Sequence, residues 1–146
     1  MAHSGKRILI LDTREDWLSF AKSVLVEAGY EVEVAQSVRE AERILGDNGN
    51  GFDLVLADQK VVEAESDILR DMIWIGPDRR RRVVVIFPTQ LTLDKMRPVF
   101  KLGVFDCVDK QYERDKLVGL VQQILERPFS PRPRGRKRPV AVPSFC

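Results

Sequence analysis

The chain has 146 residues, 44% of them hydrophobic, which is the size and composition of one domain around one core. Its longest apolar runs, residues 8–11 and 83–87, fall far short of the roughly 20 residues that cross a bilayer, and the N-terminus lacks the features of a secretory signal, so a cytoplasmic protein with no membrane partner is expected. The net charge of +2 hides a polarised chain: residues 127–146 carry six cations and no acid, leaving 18 of the 24 basic residues against 22 acids in the rest.

Residues 8–11, Ile-Leu-Ile-Leu, have the unbroken apolar character of a strand covered on both faces, and Asp12-Thr13 after them offer a cap for the next helix. Leu18, Ala21, Val24, Leu25 and Ala28 then recur at helical spacing until Gly29. Val32 and Val34 alternate with Glu31 and Glu33, as in a half-buried edge strand. Ser37 and Glu40 have capping-box spacing ahead of an apolar stripe of Val38, Ala41, Ile44 and Leu45, which Gly46 is expected to end. Residues 47–51 read as a loop. The third strand is residues 52–57, ending at Asp58, and a weaker helical segment runs from there to Gly76-Pro77. Four arginines, residues 79–82, read as a solvated loop before residues 83–87, a central strand. Residues 91–102 should be helical but contain Pro98, so this helix must start late or kink. Residues 104–108 make a fifth strand, and Leu117, Leu120, Val121 and Ile124 mark the closing helix.

Five alternating units predict an α/β fold, a three-layer αβα sandwich with helices on both faces of a parallel sheet. Residues 1–5 read as a leader, 6–126 as the domain and 127–146, with five prolines, as a basic tail or linker. Trp17 and Trp74 are expected as core or interface anchors and Cys107 as a small core residue; with Cys146 it makes no disulfide framework. No glycine-rich phosphate loop, zinc spacing or nucleophile elbow is present, and an enzyme is not expected.

In an open parallel α/β sheet, ligands bind beyond the carboxyl ends of the strands. Asp12, Asp58 and the pair Asp109-Lys110 fall at such ends. Two neighbouring carboxylates can hold a hard cation such as Mg²⁺, and a lysine beside them can neutralise a phosphoryl group. The blocks Ile-Leu-Ile-Leu-Asp12, Phe-Asp-Leu-Val-Leu-Ala-Asp58 and Gly103-Val-Phe-Asp-Cys-Val-Asp-Lys110 resemble, at the right mutual spacing, the first, third and fifth strand signatures of response-regulator receiver domains of the CheY-like type. The resemblance covers roughly residues 6–126. It implies a five-stranded sheet in the order 2-1-3-4-5, the flavodoxin-like winding. It also implies that Asp58 is a phosphoacceptor, served by a histidine kinase or phosphotransfer protein, with Mg²⁺ at Asp12 and Asp58 and a phosphate contact from Lys110. The change of charge at Asp58 would be read by a downstream protein partner or by a second copy in a homodimer.

The pattern is broken in places. Receiver domains place two acids in succession after the first strand, and this chain has Asp12-Thr13, which weakens the Mg²⁺ site unless Glu15 or Asp16 compensates. The phosphate-sensing hydroxyl falls on Pro88, leaving Thr89 as the substitute phosphate contact; the aromatic switch falls on Cys107; Gln111 replaces the usual proline after Lys110. Lys60 is a candidate cation for the acidic pocket of Asp12 and Asp58. Three readings follow: a two-component phosphorelay receiver with degraded activation machinery, a pseudo-receiver that binds partners without phosphate, and a carrier of a basic tail for nucleic acid or an acidic partner. The face around Pro98 is the expected partner surface.

Overall fold

The computed structural model describes residues 5–48, 51–77 and 79–129. The chain runs β1 (Arg7–Leu11), α1 (Glu15–Glu27), β2 (Glu31–Ala35), α2 (Val38–Asn48), β3 (Leu54–Asp58), α3 (Gln59–Ala64), α4 (Ser66–Ile73), β4 (Trp74–Gly76), β5 (Arg79–Arg80), β6 (Arg82–Phe87), α5 (Leu93–Phe100), β7 (Asp106–Asp109) and α6 (Arg114–Glu126). Five strands form a parallel sheet in the order β2-β1-β3-β6-β7, the expected winding, and β4 and β5 form a separate antiparallel pair.

Strand alternation sorts the apolar residues into two cores, one on each face of the sheet. Leu9, Leu11, Val55, Ala57, Val83, Val85 and Phe87 pack with residues of α2 to α5. Ile8, Ile10, Leu54, Leu56, Val84 and Ile86 pack with residues of α1 and α6. Both parities are therefore apolar in β1, β3 and β6, whereas the edge strand β2 alternates Glu31 and Glu33 with half-buried Val32 and Val34. None of the described helices is long and apolar enough to cross a membrane.

Several local expectations need correction. Thr13 does not cap α1: it is exposed, Arg14 holds the cap position without a side-chain bond, and Asp12 Oδ1 accepts from the Arg14 amide at 2.9 Å. Gly46 does not end α2, which continues to Asn48. A glycine costs only about 1 kcal/mol within a helix, and the buried stripe of Val38, Ala41 and Ile44 outweighs it. The capping box is present with a shifted partner, since Ser37 Oγ accepts from the Glu40 amide while the Glu40 carboxylate reaches back to the amide of Gln36.

The segment after Asp58 divides into α3 and α4 at Glu65, where φ is −140° and ψ 64°, outside the helical region. Nor are residues 79–82 a solvated loop. Arg81 is 6% exposed; its amide donates to Ile73 O at 2.7 Å and its guanidinium Nη1 to Met72 O at 2.6 Å. It thus caps the C-terminus of α4, where terminal carbonyls lack partners within the helix and the dipole favours a cation. Gly103, at φ 103°, lies so close to Trp74 that a Cβ would meet its indole nitrogen at 3.2 Å, a position that suits glycine alone.

Helix α5 starts late, at Leu93, and Thr92 Oγ1 accepts from the Lys95 amide at 3.3 Å; Pro98 nonetheless remains inside it. An interior proline costs about 3 kcal/mol, offset by about 1 kcal/mol through restriction of the unfolded chain. Pro98→Ala is therefore expected to stabilise the domain by about 2 kcal/mol, read as a higher denaturant midpoint at unchanged slope. Residues 127–129 pack against the amino edge of the sheet, while the leader residues 1–4 and tail residues 130–146 lie outside the described residues.

Candidate functional site

The register brings three chain segments to one edge. Leu11 pairs with Ala57, Asp58 with Ile86, and Phe87 with Asp109, so the residues ending or following β1, β3 and β7 converge. The ladder continues one residue further on both sides, with the Asp12 amide donating to Ala35 O and the Lys110 amide to Phe87 O. Asp12, Asp58 and Lys110 are consequently held by backbone pairing, not by loop geometry.

Their side chains meet in a buried cluster. Lys110 Nζ is 2.7 Å from Asp12 Oδ2 and 3.6 Å from Asp58 Oδ1, with side-chain exposures of 3%, 2% and 6% for the three residues. Asp58 Oδ2 accepts from the Lys60 amide at 3.0 Å, which makes Asp58 the cap of α3 as well. Asp12 Oδ2 meets the ammonium as an ion-pair contact outside hydrogen-bonding geometry and has no hydrogen bond. Two carboxylates thus share one ammonium. Burial, and after it the charge of Asp12, pushes the Asp58 carboxyl above the usual range; Lys110 and the amides of Lys60 and Val61 oppose this without cancelling it.

A tryptophan fixes the ammonium from outside. The Lys110 ammonium stands 5.0 Å from the ring centre of buried Trp17 in α1, and the Trp17 indole N–H donates to Gln111 O at 2.8 Å. One side chain therefore holds both the lysine and the turn after it. A cavity of about 130 Å³ lined by Arg14, Asp16, Trp17, Phe20, Lys110 and Tyr112 opens beside this contact, and neither carboxylate of the cluster lines it.

Other expected site residues lie elsewhere. Lys60 is exposed and meets Asp58 only through its backbone amide, so the cation of the pocket is Lys110. Thr89 is exposed, and its hydroxyl accepts from Lys95 Nζ at 3.0 Å instead of contacting the cluster. Asp16 is bound to the Trp17 amide and to Arg14, and Glu15 is exposed. Cys107 is 1% exposed in the core beside α5, and Pro88 is half-buried. The roles of Trp17 and Arg81 were not drawn from the sequence, although Trp17 lies five residues past Asp12 at the start of an amphipathic helix, and Arg81 shares the parity of Val83 and Val85.

No family profile matches the chain. A two-component response regulator of Arabidopsis thaliana is 35% identical over 74 residues, 51% of this chain and 14% of that protein. One from Oryza sativa is 21% identical over 126 residues, 86% of this chain and 18% of that protein. The chain thus spans less than a fifth of these curated relatives. Among solved structures, a response-regulator receiver domain from Clostridium thermocellum is 28% identical with a TM-score of 0.68, covering 83% of this chain and 94% of that one. In sequence and in fold the chain is similar to response-regulator receiver domains. The fold is shared as well with a CheY-like receiver domain from Methanospirillum hungatei, with a TM-score of 0.70 at 24% identity over 84% of this chain and 95% of that one.

Receiver domains generally bind Mg²⁺ at the acidic pocket. The donor set of this chain fits one such cation modestly. Mg²⁺ is commonly held by one or two carboxylates with water and phosphate completing its shell, and Asp12 and Asp58 supply two. The cluster is one positive charge short, and Asp12 Oδ2 is buried without a hydrogen bond. No group of three His, Cys, Asp or Glu gathers among the described residues, so no further acid joins them.

Proposed function

We propose that this receiver takes a phosphoryl group on Asp58 and passes the change on without the usual hydroxyl and aromatic switch. The observation that carries the reading is the buried arrangement of Asp12, Asp58 and Lys110 at the carboxyl ends of β1, β3 and β7, with Lys110 Nζ 3.6 Å from Asp58 Oδ1. Asp58 Oδ1 is the oxygen not engaged by the α3 amide, and it would attack the phosphorus of a phosphohistidine on a kinase or phosphotransfer protein. The P–N bond breaks, its electron pair returns to the imidazole, and an acyl phosphate remains on Asp58. Lys110, already beside both acids, exchanges part of its pairing with Asp12 for the new phosphate. Mg²⁺ held by Asp12 and Asp58 would neutralise charge on the phosphoryl oxygens.

The usual switch positions support the second half of the reading. Pro88 has no hydroxyl, the Thr89 hydroxyl is engaged by Lys95, and Cys107 is too small and too buried to swing outward. The same observations favour a second reading, a pseudo-receiver that binds its partner regardless of phosphate.

Intact mass of the protein after treatment with acetyl phosphate and Mg²⁺ separates the two. The expected result is one added phosphoryl group, absent from Asp58→Ala. An unmodified chain, or the same gain in the alanine variant, overturns the acceptor reading, and an Asp58→Ala variant with undiminished partner binding favours the pseudo-receiver.

A further inference from the structure

The cavity beside the acidic cluster has no part in the transfer as described so far. It measures about 130 Å³, and three of its six lining residues are aromatic: Trp17, Phe20 and Tyr112. Trp17 and Phe20 stand three residues apart on α1 and so share one face of that helix. Tyr112 comes from the turn after β7, two residues past Lys110, and is 63% exposed. Its ring keeps apolar surface in water next to buried Trp17 and half-buried Phe20, an arrangement that gains from an occupant able to cover it. A cavity of about 150 Å³ holds one benzene ring, so the space here suits a single small ring.

Charge disfavours an ionic occupant. At the exposed rim Arg14 and Asp16 pair at 3.3 Å, and on the buried side the Lys110 ammonium is shared by Asp12 and Asp58. Neither cation is left over for a free anion, and Lys110 repels a cationic ring. The position of the cavity narrows the choice further. Lys110 Nζ is 3.6 Å from Asp58 Oδ1 and 5.0 Å from the Trp17 ring centre, so one ammonium neighbours both the acceptor oxygen and the aromatic wall. In a reactive pose the phosphorus stands about 3–3.5 Å from the attacking oxygen, with the leaving group on its far side. A leaving ring therefore touches neither carboxylate, and neither carboxylate lines the cavity.

We propose that this cavity is the subsite for the leaving imidazole ring of the phosphodonor, with Tyr112 and Phe20 as the residues that select a ring there. The inference rests on Asp58 as the acceptor. In the transfer the bond from Asp58 Oδ1 to phosphorus forms, the P–N bond breaks with its electron pair left on the ring nitrogen, and that nitrogen takes a proton from water. Trp17, already against the Lys110 ammonium, forms the inner wall, and Tyr112 stacks on the ring from the solvent side. A donor without a ring gains nothing from these contacts.

Rate constants for phosphorylation of the full chain by phosphoimidazole and by phosphoramidate, each with Mg²⁺, test this, because both donors release the same group from nitrogen and only one carries a ring. The ratio of the two rate constants is expected to be about three- to tenfold lower in Tyr112→Ala than in the unaltered chain, with a smaller fall in Phe20→Leu, which keeps the apolar packing. A ratio unchanged in both variants overturns the proposal. Imidazole alone, titrated at mildly alkaline pH where the ring is neutral, separates the ring site from the transfer. Saturable NMR shifts of the Trp17 indole and the Phe20 ring are expected, weakened in Tyr112→Ala. Their absence overturns the ring site whether or not Asp58 is phosphorylated. Saturable binding by a chain that takes no phosphoryl group from either donor overturns the acceptor reading, and with it the assignment of the ring as a leaving group, while keeping the cavity as a site for a neutral ring.

Discussion

Lys110→Met is expected to destabilise the domain by about 3–5 kcal/mol at neutral pH, the cost of stripping a buried ion cluster of its cation. The methionine keeps most of the stem that packs on Trp17, so the change isolates charge. What remains is Asp12 facing Asp58 with each carboxylate almost wholly out of water. The sign of the pH dependence follows from Asp58. Its folded carboxyl titrates above the usual range while the unfolded one does not, so ionised Asp58 opposes folding, and that penalty appears as pH rises through the folded value. Without Lys110 the penalty grows, and the variant should regain stability as the solution is made mildly acidic. Asp58→Asn in the same background should restore most of the loss at neutral pH, because one carboxylate then remains. Denaturant midpoints for the two single variants and the double variant, each at neutral and mildly acidic pH, measure this. Equal losses at both pH values, or no rescue by asparagine, would show that Lys110 supports the fold through packing instead of charge.

Trp17→Ala should cost a similar amount, about 3–5 kcal/mol, as expected for a buried tryptophan. Trp17→Phe should cost about 1–3 kcal/mol, since it keeps an apolar ring but leaves Gln111 O without the indole N–H. The two variants differ in a second observable. With the ring gone, the Lys110 ammonium is less confined between the acids, and the Asp58 carboxyl should titrate higher still in the alanine variant than in the phenylalanine variant. Carboxyl carbon shifts of Asp58 followed by NMR across pH report this directly, while urea titration reports the stability. A Trp17→Ala variant that folds with unaltered Asp58 titration would reduce Trp17 to a core residue.

The layered α/β architecture was legible because its signal is redundant: β1, β3 and β6 are apolar at both parities, and β2 declares itself an edge by alternation, whereas the order of the strands came only through the resemblance to receiver domains. Asp12, Asp58 and Lys110 were legible for a related reason, as strand ends have defined places in such a sheet. Features that depend on one side chain meeting a distant backbone group were not. Strand parity with Val83 and Val85 sets Arg81 apart from Arg80 and Arg82, but only the arrival of α4 beside it supplies carbonyls that favour its burial. The break between α3 and α4 at Glu65 has no glycine or proline to announce it. Lys60 stood two residues past Asp58 and Thr89 one past the expected sensor position at Pro88, but a place along the chain does not set direction: Lys60 is exposed and Lys95 engages Thr89.

Asp58 caps α3 with one oxygen and faces Lys110 with the other. A descendant of this domain that abandoned phosphoryl transfer would still gain from a short polar acceptor at that place, because the first turn of the next helix needs one. An aspartate found there in a divergent relative is therefore poor evidence that the chemistry survives. Asparagine caps as well as aspartate but cannot accept a phosphoryl group as an acyl phosphate. Its appearance at this position would mark the lineages in which architecture has outlived chemistry.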